Sequence, residues 1–431
     1  MSSEPSRPRL RLGLAAAAAA PGTVLGAADY LGLPHPGLPA PLAALVFGVA
    51  ILGAAFLLSW AAEAAQVDIS AGLAIALLAL LAVLPEYAVD LVFTFKAGQL
   101  YAEHGSCTGG VGGENPCALA LANMTGANRI LVGIGWPLVV AVVVVLALRA
   151  RRRGDRLPRQ VELPATGAAE VAFLGIASLY SLTLALRSSL TLVDTAVFVA
   201  IFAWYGWRLA RVPAEKPDLI GVADWIGGQP ARTRRSWTAG LFAVAALVIL
   251  ATAEHFADNL VDSGRGLGVD EFLLVQWVAP LASEAPELIV ACLYAARAKA
   301  AQALGTLLSS KVNQWTLLVG TIPLVFALSA TTFHGLPLDD HQRLELFLTA
   351  AQSVFAVSLL ADLRLTGPRA LVLFGLFGVQ FVASLTLPTG VAAAVMLGLA
   401  VLYLVLAAVL LIRAREGLRR LLRQGLTHAT T

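Results

Sequence analysis

Two short stretches put acids where the surrounding sequence is apolar. LASEAPEL, residues 281–288, carries Ser283, Glu284 and Glu287 around Pro286, and VLPEYAVD, residues 83–90, carries Glu86 and Asp90 after Pro85. A carboxylate deep in a membrane segment costs ~2.5–3.5 kcal/mol by insertion scales, so such residues are read first as functional. Each proline lacks an N–H and frees the carbonyl four residues back, that of Leu81 for Pro85 and of Ala282 for Pro286. Freed carbonyls at membrane depth are tolerated where they are buried in protein or line a wet cavity. Carboxylates and carbonyls that face one another form a hard, oxygen-rich site suited to Ca²⁺, Na⁺ or H⁺, and Glu86 and Glu287 are the expected metal ligands. Helical spacing puts Asp90 on the face of Glu86 and Glu284 on the face of Glu287, within the site or at its mouth.

The rest of the chain explains why those positions are at membrane depth. Its 431 residues are 58% hydrophobic and 13% charged, about half the ~25% charged share of soluble domains. Apolar runs of membrane-spanning length recur throughout, without the polar stripes of soluble helices. The expected fold is an all-α polytopic membrane protein of about twelve spans, near 12–32, 41–65, 70–97, 117–148, 168–187, 190–210, 238–262, 269–296, 301–330, 343–362, 369–386 and 389–412. The first run is either a cleaved signal sequence or a retained helix. Basic residues sort by side. With a cytoplasmic N-terminus, residues 149–159 and 208–235 each put six Lys or Arg inside, while the external loops 98–116 and 331–342 have none. This is the positive-inside pattern, with both termini cytoplasmic in a plasma (inner) membrane. Lys and Arg confined to a few loops, at net charge +3, leave no basic face for nucleic acid. The bilayer is the expected partner besides the transported ions. Cys107 and Cys117 flank a Gly-rich loop and pair if it faces an oxidising compartment, whereas Cys292 reads as a small core residue.

The two acidic stretches belong to a repeat. Glu287 follows Glu86 by 201 residues, and Lys311 follows Asn128 by 183. An insert in the first half, AGQLYAEHGSCTGGVGGEN, accounts for the difference. Each half has a Pro-Glu helix, a loop, then a helix with small polar residues leading into an apolar run. The first half opens outside and the second inside, so the repeats are inverted, with broken core helices meeting at mid-membrane. The expected organisation is an extra helix or signal over 1–40, a first repeat over 41–210, a cytoplasmic linker over 211–237, a second repeat over 238–386, and an extra helix with a basic tail over 387–431. Leu219–Trp225, within the linker, reads as a membrane-surface piece or as solvated chain.

At these residues the chain resembles the calcium/cation antiporter superfamily, the sodium/calcium exchanger membrane region. The first motif of that family is matched by Ala82-Val83-Leu84-Pro85-Glu86 and by Ser283-Glu284-Ala285-Pro286-Glu287. The second is matched by Ala122-Asn123-Met124-Thr125-Gly126-Ala127-Asn128 and by Gly305-Thr306-Leu307-Leu308-Ser309-Ser310-Lys311-Val312-Asn313-Gln314. The resemblance implies two inverted five-helix repeats, with Glu86 and Glu287 as central acidic ligands and Ser310 and Gln314 as ligands from the second repeat. Their first-repeat counterparts, Ala127 and Leu131, offer no side-chain oxygen, which leaves Asn123 and Asn128 as nearby polar groups. Ser-Ser followed by Gln is similar to the cation/proton branch. Lys311 stands where the motif has Asn, either as a tethered cation balancing Glu284 or Glu287 or as a lysine snorkelling to an interface. Glu254, Asp258 and Asp262, with His255 beside them, lie on the helix that matches the gating helix of the family. They form either a proton route or an external cap.

The implied function is a secondary-active antiporter exchanging Ca²⁺ or Na⁺ for protons, not an enzyme, and with no cofactor beyond the transported ions. A Na⁺/Ca²⁺ exchanger is the near alternative. From other classes come an intramembrane metalloenzyme built on Glu254, His255, Asp258 and Asp262, and a passive channel. No nucleophile or phosphate-binding loop accompanies the first of these.

Overall fold

A computed structural model describes residues 8–34, 36–68, 84–107, 116–152, 157–211, 219–268 and 270–427. The apolar runs form helices, as a bilayer requires of any open chain crossing it. They are α1 (Pro8–Tyr30), α2 (Ala40–Ala65), α3 (Leu84–His104), α4 (Pro116–Arg152), α5 (Ala168–Leu182), α6 (Leu192–Leu209), the short α7 (Gly221–Gly227) and α8 (Ala231–Leu267). There follow α9 (Glu271–Ala296), α10 (Ala300–Ser329), α11 (Asp340–Leu359), α12 (Gly367–Thr386), α13 (Thr389–Arg413) and α14 (Arg415–Leu426). Two small antiparallel ribbons tie loops together, β1 (Gln160–Glu162) with β4 (Arg364–Thr366) and β2 (Ser189–Leu190) with β3 (Leu336–Pro337).

Among the described residues nine helices are long and apolar enough to cross a membrane, and Glu271–Ala285 with Glu287–Ala296 makes a tenth as one broken span. Of the remaining expected spans, the one at 343–362 forms α11, made more polar by Asp340, Arg343 and Glu345. The one at 70–97 appears from Leu84 onward as α3. Its earlier part, including Leu81 and its carbonyl, lies outside the described residues.

The chain divides into two compact units, Met1–Phe93 with Leu209–Pro286 and Thr94–Arg208 with Glu287–Thr431. Two of the cuts fall inside α3 and α9, the helices that carry the Pro-Glu pairs.

The first unit is built on close packing of small residues, the usual means of association where lipid removes the hydrophobic drive between helices. Ala15 and Ala19 of α1, Ala50, Ala54 and Ala61 of α2, and Ala245 and Ala253 of α8 are all buried in one core. Gly26 of α1 lies so close to α8 that a Cβ there would run into the Ala251 carbonyl oxygen. The helix α7 buries Val222 and Ile226 in the same core, so this part of the linker is packed chain.

The second unit carries the clearest trace of the repeat. Helix α4 contains a π turn at Leu131–Gly135, closed by the Trp136 N–H on the Leu131 carbonyl. Helix α10 contains another at Gln314–Leu318, closed by the Val319 N–H on the Gln314 carbonyl. They stand 183 residues apart, the spacing that relates Asn128 to Lys311. Such turns insert one residue into a helix and recur at functional sites. At one edge of this unit Cys107 and Cys117 form a disulfide (S–S 2.04 Å). The Gln342 amide donates to the Cys117 carbonyl at 2.6 Å while its backbone N–H takes part in a capping box with Asp339, which fixes the start of α11.

In the first unit, Asp68 beyond the end of α2 receives both arms of the Arg234 guanidinium at 2.7 Å, with Arg235 at 3.1 Å. The Arg234 hydrogen bonds hold the Asp68 carboxyl down, from 3.8 to about 2. A lowered folded-state pKa contributes stability that is complete above the ordinary carboxylate range and is lost as pH falls through the folded value. Asp68→Asn should therefore lower the unfolding midpoint of the solubilised protein at neutral pH, by the equivalent of about 1 kcal/mol. The gap to wild type should close as the pH is taken from about 4 toward about 2. Equal midpoints at neutral pH would show that the fork contributes nothing.

Candidate functional site

In the first unit, α3 and α9 bring the sequence-predicted acids together. Glu86, in the first turn of α3, and Glu284, midway along α9, are both fully buried, and each has a carboxylate oxygen within 4.8 Å of one on the other. Ser283 is buried beside Glu284, and Asp90 is buried one turn after Glu86. The close approach of two carboxylates concentrates negative charge out of water, which only a cation or a proton offsets. Glu287, which belongs to the second unit, is also buried.

In the second unit, the polar residues of the second motif lie before the two π turns or, for Gln314, at the start of one. Asn123, Asn128, Ser310, Lys311 and Gln314 are all buried. Lys311 does not snorkel: its ammonium donates to the Asn128 backbone carbonyl at 2.6 Å and lies over the Trp315 ring, 5.6 Å from the centroid. The two residues matched by the repeat thus touch in space. Trp315 is fixed in turn by donating its ring N–H to Ser353 at 2.7 Å. The Asn128 amide nitrogen turns back to the Met124 carbonyl at 2.9 Å. Its Oδ1 and the Ser310 hydroxyl are buried with no hydrogen-bond partner among the described residues. Unsatisfied buried oxygens of this kind call for a cation or water to complete them.

The acidic stripe of α8 is engaged with α1. The Tyr30 hydroxyl donates to Glu254 at 2.8 Å, and the His255 ring stands 3.6 Å from the Asp29 carboxylate between the rings of Tyr30 and Phe47. Asp258, one turn on from Glu254, is half-buried. Asp262 lies 3.6 Å from Arg265, near the end of the helix. The partners of this stripe, Asp29 and Tyr30, come from a helix that sequence reading set aside as an addition.

A buried ion pair escaped the sequence reading altogether. Arg129 of α4 and Glu345 of α11 meet at 2.5 Å with both side chains almost wholly buried, and the Arg129 Nε donates to the Thr125 carbonyl at 3.2 Å. The signal was available, since an arginine inside an apolar run demands an acid from elsewhere in the fold.

The family model described as sodium/calcium exchanger protein matches residues 40–209 and 237–409. Among solved structures, the chain is similar to one described as the H+/Ca2+ exchanger CAX, with 37% identity and a TM-score of 0.83, over 97% of this chain and 98% of that one. It is also similar to native YfkE, with 14% identity and a TM-score of 0.58, over 91% and 99% of the two chains, a likeness of fold alone. Among curated proteins, none matches.

The Arg129–Glu345 pair is a direct test of the packing behind the second-unit residues. Glu345→Gln leaves the Arg129 guanidinium buried without its counter-charge and should cost about 3–5 kcal/mol. Replacing both residues by leucine should cost much less, because no charge is left buried. Unfolding midpoints of the solubilised proteins measure both. A double variant as unstable as the single one would show that the pair acts through shape and not charge.

Proposed function

Since the chain belongs to the sodium/calcium exchanger protein family, we propose that it is a secondary-active antiporter that exchanges Ca²⁺ or Na⁺ for protons by alternating access. The observation that carries this reading is the approach of the Glu86 and Glu284 carboxylates within 4.8 Å, both fully buried. Glu86 and Glu287 bind cation and proton in competition, so the site is never left with bare charge during the swing. Glu284 joins Glu86 in holding the ion, with Ser283 and Asp90 beside them. Ser310, Gln314, Asn123 and Asn128 supply neutral oxygens. The similarity to a solved H+/Ca2+ exchanger favours protons as the counter-ion. So does Lys311, a fixed cation among the polar residues of the second unit that reduces the room for additional Na⁺. The stripe of Glu254 and Asp258, with His255, is the proposed proton route.

Glu86→Gln and Glu287→Gln should each abolish exchange in proteoliposomes, while both variants still fold and insert. A carboxamide keeps the shape but can neither carry the charge nor trade a proton for a cation. Normal exchange by either variant would remove it from the site. His255→Gln should retain exchange but shift its pH dependence. An unchanged profile would take His255 out of the proton route.

A further inference from the structure

The last span, α13, ends at Arg413, and α14 begins after a single residue, Ala414. This short connection keeps α14 next to the end of the last span. Its sequence, REGLRRLLRQGL, has two faces. Leu421 and Gly425 are buried, and Gly425 sits so close to α5 that a Cβ there would meet the Ala168 carbonyl oxygen at 2.6 Å. The other face exposes Arg415, Arg419, Arg420 and Arg423, with the single acid Glu416 among them. The helix is not a loose tail. Arg208 of α6 donates to the carbonyls of Gln424, Gly425 and Thr427 at 3.0, 3.1 and 3.2 Å, which satisfies the acceptors a helix end leaves open.

Between α14 and the turn after α11 lies a cavity of about 460 Å³ with Arg364, Arg420 and Gln424 in its wall. Asp362 also lines it, but this acid is held by Arg369 at 2.6 and 2.9 Å. Arg364 leans on Glu162 at a longer 3.5 Å, and Arg420 makes no ion pair among the described residues. Two guanidinium groups therefore edge a hollow with little acid to answer them, beside an arginine face that starts where the last span stops.

We propose that this cavity and the arginine face of α14 bind the phosphate headgroup of an anionic lipid from the adjoining leaflet. Guanidinium forks match phosphate oxygens in shape and charge, and basic segments next to a span are drawn to anionic headgroups. The α14 helix packs on α5, and α5 packs on α10, the helix of Ser310 and Lys311. A bound headgroup braces this part of the second unit. The site stands on its own geometry and does not depend on which ions the protein exchanges.

The test titrates phosphatidylglycerol into the full-length protein in neutral detergent, following the unfolding midpoint and lipid retention by native mass spectrometry. Wild type should be stabilised by phosphatidylglycerol and not by phosphatidylcholine, and should retain the anionic lipid. The double variant Arg364→Gln with Arg420→Gln should need about tenfold more lipid for the same shift, as loss of charge-assisted contacts predicts. If the double variant is not recovered from membranes, Arg420→Gln alone, at an exposed position, carries the test. An unchanged response in the variants, or none in wild type, would overturn the proposal. So would an equal shift from inorganic phosphate alone, which would mark a site for a free anion.

Discussion

A carboxylate cannot remain ionised inside a membrane protein unless positive charge comes to it, and much of this structure answers that constraint. Glu86 and Glu284 are brought together and fully buried. In the proposed exchange, their charge is answered by the cargo, a metal ion or a proton. Glu345 meets the same constraint differently, with Arg129 as a permanent partner that no transport step needs to remove. One chain thus holds two kinds of buried acid, one paired with an arginine of another helix and a pair that the proposed exchange assigns to cargo.

The polar residues of the second unit show how a repeat diverges while keeping its backbone. Both π turns persist at the same spacing, so this departure from the α-helix is common to α4 and α10. The side chains around them differ. Where α10 has Ser310 and Gln314, α4 has Ala127 and Leu131, and where α4 has Asn128, α10 has Lys311. The lysine of one repeat reaches the backbone carbonyl of its counterpart in the other, so a covalently attached cation ties the two core helices. The retained feature is backbone shape, and the altered one is the inventory of oxygen ligands.

What the sequence made legible were features local to a few turns: the apolar lengths, the Pro-Glu pairs, the helical faces shared by neighbouring acids and the 183-residue register of the repeat. These depend on residue spacing alone. What it hid were pairings across the fold. Nothing adjacent to Arg129 identifies Glu345, more than two hundred residues away, and nothing in the α1 sequence announces that Asp29 and Tyr30 meet the acidic stripe of α8. Lys311 was ambiguous for the same reason, because its fate depends on a carbonyl in another helix. The division into units was hidden too, since it cuts through α3 and α9 instead of falling in a loop. The amphipathic α14 was visible only as a basic tail, and its docking rests on Arg208 from a distant helix.

The most direct measurement of the central claim is uptake of labelled Ca²⁺ and Na⁺ into proteoliposomes with an imposed pH gradient, inside acidic, with internal Na⁺ absent. Exchange of cation for proton at the buried carboxylates predicts uptake that tracks the gradient and collapses when a protonophore dissipates it. Uptake that ignores the pH gradient and begins only when Na⁺ is loaded inside would contradict proton exchange and assign the counter-ion to Na⁺.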